Sequence, residues 1–536
     1  MTATVTHTDV VIVGAGPTGL SLACQLIRYG IDFVIIDSKE DVTPYSKALG
    51  VHARTLEIYE QLGIAEQAVA QGTIAGKLRL VYANKIRGEL NLSNIGEGMS
   101  QYPYMLVLEQ SKNEQLLYDY LQTHGKDVLW QTTLDSLSQT DTEVTAQVTH
   151  ARGNTSVIKA KYLVGCDGPK SPVRHGLGLS FEGSTFERLF YVADVHIDWR
   201  FSHDALHVCL TPNSVVAFFP MPGENRYRIV GAFPEGFDKD EGEALYEEIE
   251  QRIKTEAQIG LEISQVNWFS TYKVHARHVE NFAAGRCFLA GDAAHIHTPA
   301  GGQGMNTGIQ DVYNLAWKLA FVLRGNADRK ILDSYNEERL PNAQRLLKTT
   351  DRMFNFLANS NKLVNFFRTI ILPPLANYLV NLNFLKKRFF PVISQIGISY
   401  RNLSLSQIHS NQLRYNQYLS DKKFKVKAGD RMPYFLVDGI SIYNRLREPK
   451  FHLITFTSET ENIHLDKNET SAKYNNKYAD ILDYQVLPLS PELATMFGTN
   501  KTFTLLLRPD NYIGFITSDP TLHTLELYLQ VTIGHP

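Results

Sequence analysis

Val10-Val11-Ile12-Val13-Gly14-Ala15-Gly16-Pro17-Thr18-Gly19, with Val34-Ile35-Ile36-Asp37 downstream, carries the strongest fold signal of the chain. Four apolar β-formers make a buried strand. A glycine turn follows, residues 20–29 read as a helix, and residues 34–36 as a second strand ending at Asp37. Strand, helix and strand at this spacing form a βαβ unit whose crossover is right-handed. Each glycine has its own reason. Gly14 permits the tight turn, Gly16 lets the backbone approach a pyrophosphate, and Gly19 lets helix and strand pack closely. Ala15 sits inside the same loop. The helix N-terminus offers unpaired N–H groups and a positive dipole to phosphate, and Asp37 can accept from ribose hydroxyls. A lone GxGxxG is a weak signal and could be a turn that merely packs. With strand, helix and acid all placed, it reads as a dinucleotide site.

Two further strands end in Gly-Asp or Asp-Gly. Tyr162-Leu163-Val164 runs into Cys166-Asp167-Gly168-Pro169-Lys170-Ser171-Pro172-Val173-Arg174, which alone would be no more than a turn. Phe288-Leu289-Ala290 runs into Gly291-Asp292-Ala293-Ala294-His295 and on through Pro299 to Gly301-Gly302-Gln303-Gly304-Met305-Asn306. A helix over 308–324 then carries Val312, Leu315, Ala316 and Leu319 on one face, with Gly325 as its stop. Its start could hold electron-rich ring oxygens and Asp292 could bond to a polyol chain, although Asp292 could equally be an N-cap. His295 and His297 could approach a metal. No matched acid or Cys cluster accompanies them, so no metal site is expected.

The chain has 536 residues, with 53 Lys+Arg and 56 Asp+Glu for a net charge of −3. That balance provides no electrostatic footprint for nucleic acid. The 43% hydrophobic and 20% charged content is ordinary for a globular chain and argues against extensive disorder. Four Cys form neither a CxxC pair nor a disulfide framework. The polar N-terminus does not read as a signal peptide. The most hydrophobic later stretch, 363–380, is interrupted by Arg368 and Pro373-Pro374. It falls short of a spanning helix and reads as broken, buried helices. A cytoplasmic protein with no integral membrane segment is expected.

Residues 110–123 read as another helix and 127–165 as a small antiparallel sheet. Residues 180–280 change to strands, including 214–219 and 227–232, and should form a second sheet layer. Helices fill 330–400, and strands return over about 425–536, read as a separate domain. There is no GxSxG nucleophile elbow and no GxxxxGK[ST] loop. Phe218, Phe219 and Tyr227 are pocket candidates, each weighed against an ordinary core role.

The three motifs, in this order, resemble the FAD-dependent aromatic monooxygenases typified by para-hydroxybenzoate hydroxylase. The subgroup of phenol, polyketide and rifampicin hydroxylases is the nearer likeness, over about residues 8–400. The resemblance implies an α/β fold. A Rossmann-like FAD-binding domain would occupy 1–180 and 280–400, an inserted antiparallel substrate sheet 181–279, and a thioredoxin-like domain 425–536. Gly429-Asp430-Arg431-Met432-Pro433 resembles the opening of that last domain, which here lacks Cys and hence thiol redox chemistry.

It further implies FAD as cofactor, NADPH or NADH as cosubstrate, and O2 with a small aromatic substrate as partners, in a monomer or homodimer. Reduced flavin would form a C4a-hydroperoxide that hydroxylates the substrate. The base that activates a phenol is unassigned. Gly14, Ala15, Gly16 and Gly19 would cradle the pyrophosphate, Asp37 the ribose, and Gln110 the flavin side. Asp167 and Arg174 belong to the motif serving FAD and the nicotinamide donor. Asp292 would hold the ribityl chain, while Pro299 and the backbone of Gly304, Met305 and Asn306 would border the ring. One departure is Lys47, which stands where related proteins usually carry an Arg that helps hold FAD. Lysine offers a point charge without the planar fork. A reductase, dehydrogenase or halogenase on the same scaffold, or a flavin-binding protein without turnover, are the alternative readings.

Overall fold

The computed structural model describes residues 4–534, apart from 45–47, 212–214, 234–236, 238–241, 245, 257–258, 299–300, 359–360, 381–382, 407–423, 459–477 and 519–521. Lys47 and Pro299 lie outside the described residues.

The first strand, β1 (Thr4–Val13), is fully buried over Val10, Val11 and Ile12 because it is the middle of a parallel sheet. Strand β2 (Phe33–Ile36) lies on one side of it and Thr155–Gly165 on the other, both parallel. Cys287–Leu289 adds a further parallel strand beyond Thr155–Gly165. Helix α1 (Pro17–Arg28) makes the crossover and buries one face. The register pairs Val13 with Gly165 and Gly165 with Leu289. All three motif turns therefore leave the sheet at the same edge, the carboxyl ends of adjacent parallel strands, where open α/β sheets bind ligands. The expected antiparallel sheet at 127–165 is partly realised. Thr132–Gln139 and Val144–His150 pair antiparallel, but Thr155–Gly165 continues past them as a parallel core strand.

A second sheet of eight strands is built mainly from Glu182–Trp199, Leu261–His278, Arg226–Ala232, Val215–Pro220 and Ala205–Leu210. Lys77–Tyr82 and Lys85–Asn91 extend its edge, Lys77–Tyr82 by a parallel pairing with Ala205–Leu210. The sheet is therefore antiparallel except at this one joint, and it draws on a segment far upstream of the others. Helix Tyr246–Glu256 covers one face through Ile249 and Ile253.

The long helix Gly304–Leu323 starts four residues before the expected 308, since the glycine-rich loop supplies its first turn. It is buried nearly all round, between α1 and the C-terminal region. In that region Leu482–Pro488, Phe451–Thr457, Phe503–Leu507 and Ile513–Thr517 form a mixed sheet in that spatial order. Side-chain alternation splits its core. Ile454 and Phe456 face a local cluster, whereas Phe451, Leu453, Leu506 and Phe515 join the main core of the chain.

The stretch 363–380 departs from its expected burial. It is one helical run (Lys362–Phe366, Phe367–Ile371 and Leu372–Val380). Leu363, Phe366, Phe367, Ile370, Ile371 and Leu375 are exposed, Leu363 at 80%, while Arg368 is buried. Among the described residues no helix is long and apolar enough to cross a membrane.

Candidate functional site

The three turns meet around the start of α1. Gly14 has φ +103°, and a Cβ there would lie 2.4 Å from the Cys166 carbonyl oxygen. A Cβ at Gly19 would lie 1.8 Å from the Gly14 carbonyl oxygen. These two glycines are demanded by packing. Gly16 is different, since a Cβ there would meet nothing within 4 Å. The open space faces the N-terminus of α1, whose first N–H groups have no helical acceptor. Asp37 lies beside it with both carboxylate oxygens engaged. One accepts from the Ala15 N–H at 2.6 Å and the other from the Lys39 N–H at 2.9 Å.

Thr18 locks the first turn to the third. Its Oγ1 fills the space where a Cβ at Gly291 or Gly308 would stand, at 2.6 and 2.4 Å. Asp292 opens a single 3-10 turn there and is exposed. The loop is held from behind by Asp311, which the sequence reading missed. Its carboxylate accepts from the Gly291 N–H at 3.1 Å, from Arg339 Nε at 2.8 Å and bonds His295 Nε2 at 2.7 Å. Burial alone would raise the Asp311 pKa, but Arg339 and His295 outweigh it and hold the carboxylate low. Arg339 also donates to Tyr400 Oη and to the Thr307 carbonyl.

Asp167 and Arg174 brace the second turn. Asp167 accepts from the Val173 N–H at 2.9 Å, and burial raises its pKa. Arg174 donates to the carbonyls of Ala293 at 3.0 Å and Pro169 at 2.8 Å, with its guanidinium 4.1 Å from the Phe181 ring centre. Arg174 thus ties the second loop to the third.

A second group of residues assembles where 48–52 passes between 105–110 and 301–306. Asn306 is the bracket. Its Oδ1 accepts from the His52 N–H at 2.9 Å and from Thr55 Oγ1 at 2.7 Å. Its Nδ2 donates to Gly50 at 2.8 Å and Gly302 at 3.0 Å. The side chain is saturated, so only the backbone at Asn306 is left to face a ligand. Met305 likewise turns inward, its Sδ 3.0 Å from Asn113 Nδ2. His52 Nε2 lies 3.1 Å from the Gly301 carbonyl, and burial pushes its pKa down to about 4. Gln110 pairs with Ala48 through its backbone N–H at 3.1 Å and bonds Glu114 through Nε2 at 2.8 Å. Gly301 and Gly302 are both left-handed, with φ of +85° and +62°, at the entry to the long helix. Burial also pushes His297 down to about 4, and its Nδ1 bonds the Thr298 carbonyl. Among the described residues no group of three or more His, Cys, Asp or Glu could hold a metal ion.

The second sheet presents one face to this strip. Strand parity sorts the aromatic candidates. Phe219 contacts Leu49, Val107 and Met221 beside the strip, whereas Phe218 and Tyr227 belong to the opposite core, against helix Tyr246–Glu256. Arg226 pins the sheet to the strip by donating to Glu109 at 2.8 Å and Asp194 at 2.5 Å. Arg228 adds a bond to Asp194 at 3.3 Å. Sequence reading missed this cluster, whose members come from three separate segments.

The cradle fits an FAD. An unfilled space at Gly16 abuts a helix N-terminus, Asp37 flanks it, and a left-handed Gly301-Gly302 pair opens a second helix start. The model of the family described as FAD binding domain matches residues 7–350. A flavin-dependent monooxygenase of Mycobacteroides abscessus is 33% identical over 525 residues, covering 95% of this chain and 97% of that protein. The 6-methylpretetramide 4-monooxygenase of Streptomyces rimosus is 37% identical over 348 residues, which span 64% of this chain and 61% of that one. Among solved structures, the OxyS anhydrotetracycline hydroxylase from Streptomyces rimosus superposes with a TM-score of 0.75 at 27% identity, covering 99% of both chains. A cofactor cradle built as described, matched by a family model over most of the chain, leads to one assignment: the chain belongs to the flavin-dependent monooxygenases of the FAD-binding-domain family.

Proposed function

We propose that this monooxygenase hydroxylates a polycyclic or phenolic aromatic compound of the polyketide or antibiotic kind, with NAD(P)H as electron donor and O2 as oxygen source. The observation that carries the reading is the convergence of three loop motifs at one sheet edge, opposite a second sheet whose near face carries Phe219. The polycyclic substrates named for the Streptomyces rimosus proteins support it.

When bound, FAD supplies electron transfer and oxygen activation. The chain's own part is binding, orientation and exclusion of water. Gly14, Ala15, Gly16 and Gly19 surround the pyrophosphate position, and Asp37 keeps carboxylate lone pairs for ribose hydroxyls. Asp292 faces the ribityl chain. Gly304, Met305 and Asn306 offer backbone alone, since the Met305 and Asn306 side chains are engaged elsewhere. Gln110 works by holding 48–50 in place, and Asp167 and Arg174 work by shaping the loops. Lys47 is proposed to help hold FAD and Pro299 to border its ring. The proposed domains are FAD-binding over 1–180 with 280–400, substrate-binding over 181–279, and a thioredoxin-like domain over 425–536 that serves packing or oligomer formation. Four buried, unpaired thiols support a reducing, cytoplasmic setting. A monomer or homodimer is proposed.

The test is flavin absorbance in anaerobic stopped flow with NADPH, with and without a pooled polycyclic aromatic library, followed by oxygen. Substrate-accelerated bleaching and incorporation of 18O from O2 into product are expected. Reduction without 18O in product would replace hydroxylation by dehydrogenation. A bound flavin that no nicotinamide reduces would sink the NAD(P)H assignment. Gly16→Ala sharpens the cradle itself. It should leave the melting temperature of the flavin-free protein unchanged and weaken FAD binding about tenfold or more, because only a ligand occupies that space.

A further inference from the structure

The helical run 362–380 and the following helix Asn383–Ile393 are inside out for a water-facing element. Leu363, Phe366, Phe367, Ile370 and Ile371 recur at the spacing of one helix face, and all five are between 39% and 80% exposed. Tyr378 at 69% continues the stripe, and Phe384 at 70% and Phe389 at 52% add to it from the next helix. Meanwhile Arg368 is fully buried and donates to the Thr211 carbonyl at 3.1 Å, which fastens the run to the rim of the second sheet. Pro373 packs against Gly88, where a Cβ would lie 2.6 Å from its carbonyl oxygen. The polar side of the run is thus docked on the protein and the apolar side is turned out. Contiguous exposed apolar surface of this kind marks an interaction site.

Charge identifies the partner. From Asp351 to Asp421 the chain has no intervening Asp or Glu, although it carries Lys362, Lys386, Lys387 and Arg388 in these helices. The whole chain is nevertheless slightly acidic, at −3. The acid is excluded from this segment alone. An apolar stripe with cations at its ends and no anions matches a surface that is apolar in depth and negative at its face. The double proline and the length of the run preclude spanning, so the helices lie along the surface. We infer that the helices over 362–380 and 383–393 dock the enzyme reversibly on an anionic lipid bilayer, with Leu363, Phe366, Phe384 and Phe389 entering the acyl boundary and Lys387 and Arg388 meeting the headgroups.

The test is flotation of the full-length, FAD-loaded protein with vesicles of phosphatidylcholine mixed with phosphatidylglycerol, against phosphatidylcholine alone. The protein should float with the mixed vesicles and be released by salt. The L363E/F366E pair should lower binding at least about tenfold while flavin absorbance and NADPH oxidation in solution stay unchanged. K387Q/R388Q should weaken binding and flatten its salt dependence. Failure to float with either vesicle overturns the inference, and equal flotation with both overturns the anionic assignment. A homodimer in solution that L363E/F366E converts to monomer, with no flotation, would reassign the face to a second copy of the chain.

Discussion

Two regions of this molecule invert the usual rule that charge lies outside and apolar surface inside. Where the C-terminal sheet meets the long helix and its neighbour Asp333–Ala358, the chain buries Arg508, Glu338, Lys318 and Asp510 at essentially no exposure. In the helices over 362–380 and 383–393 it exposes a stripe of Leu, Phe and Ile instead. The difference is one of partners. Arg508 binds both Glu338 oxygens and donates to Asp510 at 2.5 and 3.0 Å. Lys318 and Asn314 complete Glu338 at 2.8 and 2.7 Å. Burial alone would raise Glu338, but Arg508 and Lys318 hold it down to about 2, while burial pushes Lys318 down to about 8. Each charge in the seam is satisfied within the chain, so the arrangement closes the structure. Apart from Phe367, whose ring meets Phe356, the stripe turns its side chains to the outside, so it points outward to a partner.

A neighbouring seam follows the same logic. Glu57 takes Arg54 at 3.2 Å and Arg431 at 3.0 Å, and Arg54 reaches the Asp510 carbonyl at 2.8 Å. Arg431 belongs to the Gly-Asp-Arg-Met-Pro motif that opens the C-terminal region, and here that motif serves docking. Buried pairs of this kind add little net stability over apolar packing, yet losing one partner is costly.

The comparison can be broken at the seam first. Glu338→Gln should destabilise the protein by roughly 3–5 kcal/mol, since it strands Lys318 without a counter-charge and leaves Arg508 with Asp510 alone. Denaturant unfolding of the FAD-free protein reads this directly, and a loss below about 1 kcal/mol would mean the seam is not closed as described. Asp311→Asn comes next, at about 3 kcal/mol, because Arg339 loses its buried carboxylate. It should also lower flavin occupancy, as the Gly291 loop loses its support, whereas Glu338→Gln should retain the flavin. Equal flavin retention in both variants would separate Asp311 from the site.

The buried histidines supply a third effect. His52, His207 and His297 are each held near 4 by burial, against an ordinary 6.5. Between those values the unfolded chain binds protons that the native state refuses. Stability is therefore complete above 6.5 and falls as pH drops toward 4, by at most about 1.4 kcal/mol per pH unit for each histidine. A melting temperature that stays level across that window would contradict the neutral assignment. The smallest effect belongs to the exposed stripe. Leu363→Glu should move stability by no more than about 0.5 kcal/mol, because nothing inside the chain depends on that side chain. A larger loss would show that the stripe packs within the protein after all.

Local spacing carried much of the cofactor cradle. The first glycine turn, the acid at Asp37 and the Gly-Asp at 291–292 are strand-end features, and strand ends show in a few consecutive residues. The pocket aromatics were less legible. Phe218 and Phe219 are adjacent and equally apolar, and only the pairing of Phe219 with Arg228 and Phe218 with Ile229 shows which face each occupies. The run 363–380 was misread for a similar reason. Its composition suggests burial, but the direction of a helix face is set by what the helix packs on, here through Arg368.

Backbone conformation and close approach act over neighbouring residues, so the βαβ unit, the order of the three motifs and the identity of the glycines are legible along the chain. The packed fold alone brings Asp311, His295 and Arg339 together to lock the third loop and sets Asn306 to clamp 50–52 to 301–302. It also decided that charges from 318, 338, 508 and 510 share one dry seam. Those contacts join residues tens to hundreds of positions apart. Their energies depend on burial and on distances near 3 Å, which no spacing along the chain encodes.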